Sequence, residues 1–141
     1  AGAVGPQFSL ARPARPVWPG STFVRGAEEL RWYASRGIAV LCWEVLGKGL
    51  LADPRQWAAE EAAAPREAEA GRLEAGGDLG TGAAFRDFRI RGAYITRENF
   101  ARRRRAVELA AERGVPLAQV AVAYVLARPI CFAIVGPRSA R

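Results

Sequence analysis

Histidine and methionine are absent from this 141-residue chain, and lysine occurs once, at Lys48. Without an imidazole these residues hold no Ser-His or Cys-His nucleophilic pair, no His-ligated zinc and no histidine proton shuttle. No self-contained active site is visible as a result. Cysteine is scarce: Cys42 and Cys131 stand far apart, each in an apolar run and without metal-ligand spacing, so both are expected as buried, reduced thiols. No apolar stretch reaches membrane-spanning length and no signal peptide is visible, so the expected compartment is the cytoplasm and no membrane partner is expected. The lack of methionine, with a start at Ala1-Gly2-Ala3-Val4 and an end just after Ser139, leads to the expectation of a piece of a larger protein.

Half of the residues are apolar, enough for one domain with a core. The net charge of +7 comes almost wholly from arginine, amid much alanine, glycine and proline. That usage fits a GC-rich coding bias at least as well as selection for polyanions, and a nucleic-acid surface calls for clustered charge with interleaved aromatics. The one true cluster is Arg102-Arg103-Arg104-Arg105. On a helix, consecutive residues fan around the circumference, so a solvated face is expected there and nucleic acid is not the expected partner.

Several segments announce their structure. Val4 to Leu10 reads as a short strand, followed by a loop that Pro13, Pro16 and Pro19 stiffen. Gly26 to Arg36 reads as an amphipathic helix with Glu28 and Glu29 in its first turn and Gly37 past its end. Ile38 to Trp43 is a continuous apolar run, the pattern of a parallel strand covered on both faces. Residues 52–93 change character, with Pro65 splitting a possible helix and a glycine-rich break at 76–82, and are expected as a long low-complexity loop or insertion. Thr96 caps a helix that Gly114 ends, and Pro116 starts another in which Ala118 to Ala127 is apolar nearly all round, as in a sandwiched helix. A last apolar run, Cys131 to Val135, closes the series. Strands alternating with helices and no hairpin signal imply a parallel α/β fold.

The carboxyl end carries the clearest chemistry. Gly136-Pro137-Arg138-Ser139 places a glycine, a guanidinium and a hydroxyl directly after a strand, where α/β folds bind anions; a surface turn is the plain alternative. Gly47, Gly49 and Ala52 match the dinucleotide fingerprint, but Ala52-Asp53-Pro54 interrupts the helix that the fingerprint requires. A glycine-rich loop close to a ligand, with Lys48 as a point charge, is the preferred reading. Trp43, at a strand end, either stacks on a planar ring or packs with its N–H satisfied locally. Tyr33, Tyr94 and Tyr124 have no partner base at readable spacing and are expected in structural roles.

On Gln7 to Pro13, Gly37 to Leu41, Leu46 to Leu51, Glu98 to Arg103 and the block from Leu109 to Ser139, the chain resembles the carboxyl-terminal part of the aldo-keto reductase family. The resemblance implies the end of a TIM (β/α)₈ barrel, with about three parallel strands and their covering helices over residues 1–141. It implies NADPH as cofactor and a carbonyl substrate, an aldehyde or ketone, in the full-length protein. Gln7 would contact the nicotinamide amide and Trp43 would stack on its ring; Leu46, Gly47 and Lys48 would line the pyrophosphate; Gly136, Arg138 and Ser139 would receive the adenosine 2′-phosphate. The family's catalytic aspartate, tyrosine, lysine and histidine have no counterparts here, so the chain alone is expected to hold cofactor without turnover. Glu44-Val45 stands where the family usually has Ser-Pro, and a carboxylate there repels a pyrophosphate unless it turns away or pairs with Lys48 or an arginine. The alternatives are a non-catalytic binding module using Arg102 to Arg105 and an NADPH-binding pseudoenzyme.

Overall fold

A computed structural model describes residues 2–18, 20–53, 57–66 and 92–136. The glycine-rich break at 76–82 and the residues Arg138 and Ser139 lie outside them. The elements run β1 (Gly2–Val4), α1 (Ala27–Ser35), β2 (Ile38–Cys42), a 3₁₀ turn (Gly47–Gly49), α2 (Ala58–Ala63), α3 (Arg97–Arg113), α4 (Leu117–Leu126) and β3 (Cys131–Ala133). The sheet order is β1-β2-β3 and both pairings are parallel, with Ala3 opposite Ala39 and Leu41 opposite Phe132. An α/β architecture with three parallel strands therefore stands.

The first strand is shorter and earlier than the Val4 to Leu10 reading. It ends at Val4, and beyond Gly5-Pro6 only Gln7 returns to the sheet, bridging both Phe23 and Trp43. Proline has no N–H to donate, which breaks the ladder at that point. The helix ends follow local chemistry more closely. Thr96 accepts from the Asn99 N–H at 3.2 Å, Gly114 ends α3 at a φ of 63°, and Pro116 is the N-cap of α4. The end of α2 at Ala63 precedes Pro65, in keeping with the expected break.

Two expectations of burial fail. Among the described residues the sheet is covered on one face only: Val40, Cys42 and Cys131 pack with Leu30 of α1 and Val125 of α4, whereas Leu41 and its register partner Phe132 are 39% and 53% exposed. Side chains alternate across a strand, and among the described residues the helices lie on one side. Likewise α4 is not sandwiched; Leu117, Ala121 and Val125 form its single buried stripe, and Leu126 is 54% exposed. A second core cluster lies away from the sheet, where Leu50, Leu51, Tyr94, Phe100 and Ala121 close together. It anchors the loop after β2 against α3 and α4.

Both cysteines are free and buried, as expected. Burial, reinforced by the neighbouring Cys131, pushes the Cys42 thiol from its ordinary 9.0 up to about 12, and burial also raises Cys131. A raised thiol pKa in the fold means that only the unfolded chain loses these protons first. Stability conferred by the neutral thiol is present below about pH 9 and is lost as pH climbs toward about 12. Chemical denaturation midpoints should fall progressively over that window, and a Cys42→Ala variant should show a shallower fall; parallel curves for the two proteins would exclude this cause.

Candidate functional site

The three segments that leave the carboxyl ends of the strands converge. After β1 comes Gln7, after β2 come Trp43 and Glu44, and after β3 come Ile134 to Gly136. The Trp43 indole N–H donates to the Gly5 carbonyl at 2.7 Å, which pins the ring just past the end of β1, where it is half-buried. The local satisfaction considered for this N–H is what the structure contains.

Glu44 follows with a φ of 57°, a left-handed conformation that is uncommon for a residue with a Cβ. It turns the carboxylate inward, leaving the side chain only 4% exposed. Glu44 Oε2 accepts from Gln7 Nε2 and from the Tyr94 hydroxyl, both at 2.6 Å, and Oε1 faces the Lys48 ammonium at 2.8 Å. A buried carboxylate is tolerable when a cation and donors replace its water, and here all three are present. Burial first, and the Glu44 charge second, push the Tyr94 hydroxyl well above its ordinary range, which keeps it protonated as a donor. Gln7 Nε2 also approaches the Tyr94 oxygen at 3.3 Å.

Two buried acceptors lack a hydrogen bond among the described residues: Glu44 Oε1, which faces the Lys48 ammonium, and Gln7 Oε1. Gln7 is 1% exposed, and its Oε1 has no hydrogen-bond partner. Rotating the amide would set that oxygen against the Glu44 carboxylate, so the network fixes which atom is orphaned. This buried carbonyl, without a partner among the described residues, is free to accept from an N–H donor.

Lys48, at a φ of 55°, and Gly47, also at 55°, turn the loop back on itself. The Gly47 N–H donates to the Glu44 carbonyl at 2.7 Å, and a Cβ on Gly47 would stand 3.0 Å from that of Ala11. A Gly47→Ala substitution therefore combines backbone strain with a tight contact and should cost about 1–3 kcal/mol, read from the shift in the denaturation midpoint. A midpoint equal to that of the parent would show that the loop has room. The helix required by a dinucleotide fingerprint is absent, since Gly47–Gly49 makes a single 3₁₀ turn. Beyond it, Arg103 donates to the carbonyls of Leu50 and Asp53, each at 3.0 Å, and fastens the loop to α3.

Between this loop and the end of β3 lies a cleft of about 670 Å³ whose lining includes Leu46, Lys48, Asp53 and Gly136. Of the sequence-predicted site residues, Leu46, Lys48 and Gly136 thus share one cleft, and Gln7 joins them through Glu44. Trp43 and Gly47 stand next to it in the chain but are not among its described walls. Arg138 and Ser139, two and three positions beyond Gly136, lie outside the described residues.

The sequence reading made Glu44 repulsive unless it turned away or paired with Lys48 or an arginine, and the Lys48 pairing is what the structure contains; it assigned Tyr94 a structural role. The i, i+4 spacing of Glu44 and Lys48 was readable; nothing local pointed to Tyr94. The arginine run also resolves differently from a uniformly solvated face. Arg103 is buried on the loop, Arg104 pairs with Glu61, and Arg102 donates to Asn99 Oδ1 at 2.7 Å, so the side chains do fan apart but one of them is core. Among the described residues no group of His, Cys, Asp or Glu forms a metal cluster, and no single helix is long and apolar enough to cross a membrane. No curated protein and no solved structure shows significant similarity to the chain. The family model described as "Aldo/keto reductase family" matches residues 21–141.

Proposed function

Because the chain belongs to the aldo/keto reductase family, a family of nicotinamide-dependent oxidoreductases built on the (β/α)₈ barrel, we propose that it forms the cofactor-holding end of an NADPH-dependent carbonyl reductase. The observation that carries this reading is the convergence of Gln7, Trp43, Lys48 and Gly136 at the carboxyl ends of three parallel strands, the end where barrels bind ligands. When bound, the nicotinamide would supply a hydride to an aldehyde or ketone.

The residues fit such a guest in three respects. The orphaned Gln7 Oε1 matches the carboxamide N–H of nicotinamide, the open part of the Trp43 ring matches its plane, and Lys48 brings an ammonium to the rim of the cleft. Leu46 and Gly47 shape the loop beside the pyrophosphate. Gly136, Arg138 and Ser139 are assigned to the adenosine 2′-phosphate. Reaching Gln7 requires the Glu44 and Tyr94 side chains to give way, because the amide is buried behind them. The chain's own part is binding and orientation; with no catalytic group assigned to it, it should be inactive on carbonyls by itself. The divergence of Arg102, Arg103 and Arg104 favours this reading over a polyanion-binding module.

The test is a titration with NADPH followed by the nucleotide's own fluorescence, repeated with Lys48→Ala. Saturable binding that weakens about tenfold in the variant supports the assignment, since one phosphate-facing cation is lost. Absence of saturable binding to the parent chain would remove it.

A further inference from the structure

A second concavity lies against α3 and shares no lining residue with the cleft. It is a groove of about 510 Å³ between α3 and α4, within the range of small-molecule sites. Its floor is apolar, formed by Ala106, Leu109, Val115, Val120 and Ala123. Leu109 is 38% exposed there, so the floor is open to water. Three guanidiniums, those of Arg102, Arg105 and Arg113, stand along one rim.

The rim follows from helix geometry. Positions 102, 105, 109 and 113 recur at three- and four-residue steps, which puts them on one face of α3. Arg105 and Arg113 are about 12 Å apart along the helix. Neither has a hydrogen-bond, ion-pair or ring partner among the described residues, unlike Arg103 on the loop and Arg104 on Glu61. An apolar trough bordered by the guanidiniums of Arg105 and Arg113, unpaired among the described residues, is complementary to a molecule that is apolar along its body and anionic at its head.

The shape sets the size of the guest. The axes of α3 and α4 turn through 104° at the break between them, so the groove is a wedge that narrows at Val115. A docked helix needs a long parallel trough, which a wedge does not offer. We propose that the α3/α4 groove binds a small amphiphilic anion, an alkyl or aryl carboxylate, with its apolar body on the Leu109 and Val120 floor and its head on Arg105 and Arg113. The site is separate from the cleft that contains Lys48 and Gly136, and its occupancy is independent of the cofactor assignment.

Dodecanoate, used below its micelle concentration, is the probe, and calorimetric titration is the measurement. Dodecan-1-ol and dodecyltrimethylammonium, with the same tail and no charge or the opposite charge, are its controls. Dodecanoate should bind saturably and about tenfold more tightly than either control. Arg105→Glu with Arg113→Glu, both on the surface and so without effect on the circular dichroism spectrum, should reverse the preference toward dodecyltrimethylammonium. Equal binding of the three probes, or an unchanged preference in the double variant, overturns the proposal. So does an acidic amphipathic helical peptide that binds the same arginines more tightly than dodecanoate, which would make the groove a protein-docking surface.

Discussion

Replacing Glu44 with glutamine should tighten NADPH binding about tenfold, equivalent to ~1.4 kcal/mol. In the parent chain the Lys48 ammonium is 2.8 Å from the Glu44 carboxylate, so a pyrophosphate entering the cleft meets a cation already neutralised and a buried negative charge behind it. Asp53 adds a second carboxylate to the same lining. Glutamine keeps an acceptor for the Tyr94 hydroxyl while removing the charge, which frees Lys48 for the incoming anion. The comparison is a pair of fluorescence titrations at equal ionic strength. A dissociation constant that stays put would mean that the nucleotide lies away from Glu44 and Lys48. Glu44→Ala is the less informative change, because it strips acceptors from Gln7 and Tyr94 and carries a stability cost of about 1–3 kcal/mol.

Asn99→Ala should be among the most destabilising single changes in the chain, at about 3 kcal/mol or more. Asn99 is fully buried and its amide is fully used. Nδ2 donates to the carbonyls of Arg12 at 2.8 Å and Tyr94 at 3.0 Å, while Oδ1 accepts from the Arg12 N–H at 2.9 Å and from Arg102. The side chain thus imitates a piece of backbone, sewing the segment after β1 to the start of α3 and to the residue whose hydroxyl holds Glu44. Alanine leaves the Arg12 N–H and carbonyl without these partners and leaves the Tyr94 carbonyl with the Thr96 N–H alone. Urea denaturation should show the lost stability as a lower midpoint at unchanged slope. Nucleotide binding should weaken in parallel, since Tyr94 is no longer held. A midpoint within experimental error of the parent would show that water takes over these bonds.

The sequence was readable where neighbours decide the outcome. Thr96, Gly114 and Pro116 set the ends of two helices through bonds within a few residues, and the apolar run at Ile38 to Cys42 formed a strand for the same reason. Gly37, at a φ of 62°, stops α1 in the same local way. The site's interior was not readable. Tyr94 reaches Glu44 across 50 positions, Arg103 reaches Leu50 across 53, and Asn99 reaches Arg12 across 87. No periodicity encodes such pairings, since each partner looks locally like an ordinary tyrosine, helix arginine or first-turn asparagine. Burial misled in the opposite direction. The apolar character of Leu41, Phe132 and Leu126 implied coverage, but what covers a side chain depends on the elements around it and not on its own hydropathy.

Leu41 and Phe132, side by side on the uncovered face of the sheet, also set how the chain behaves as a colloid. Two forces oppose each other between copies in solution: the greasy faces attract at contact, and the +7 net charge repels over a longer range. Added electrolyte shortens that repulsion without weakening the attraction. Dilute buffer should therefore keep the molecules apart, and light scattering should record clustering as sodium chloride is raised, with a Leu41→Ser, Phe132→Ser double variant staying dispersed throughout.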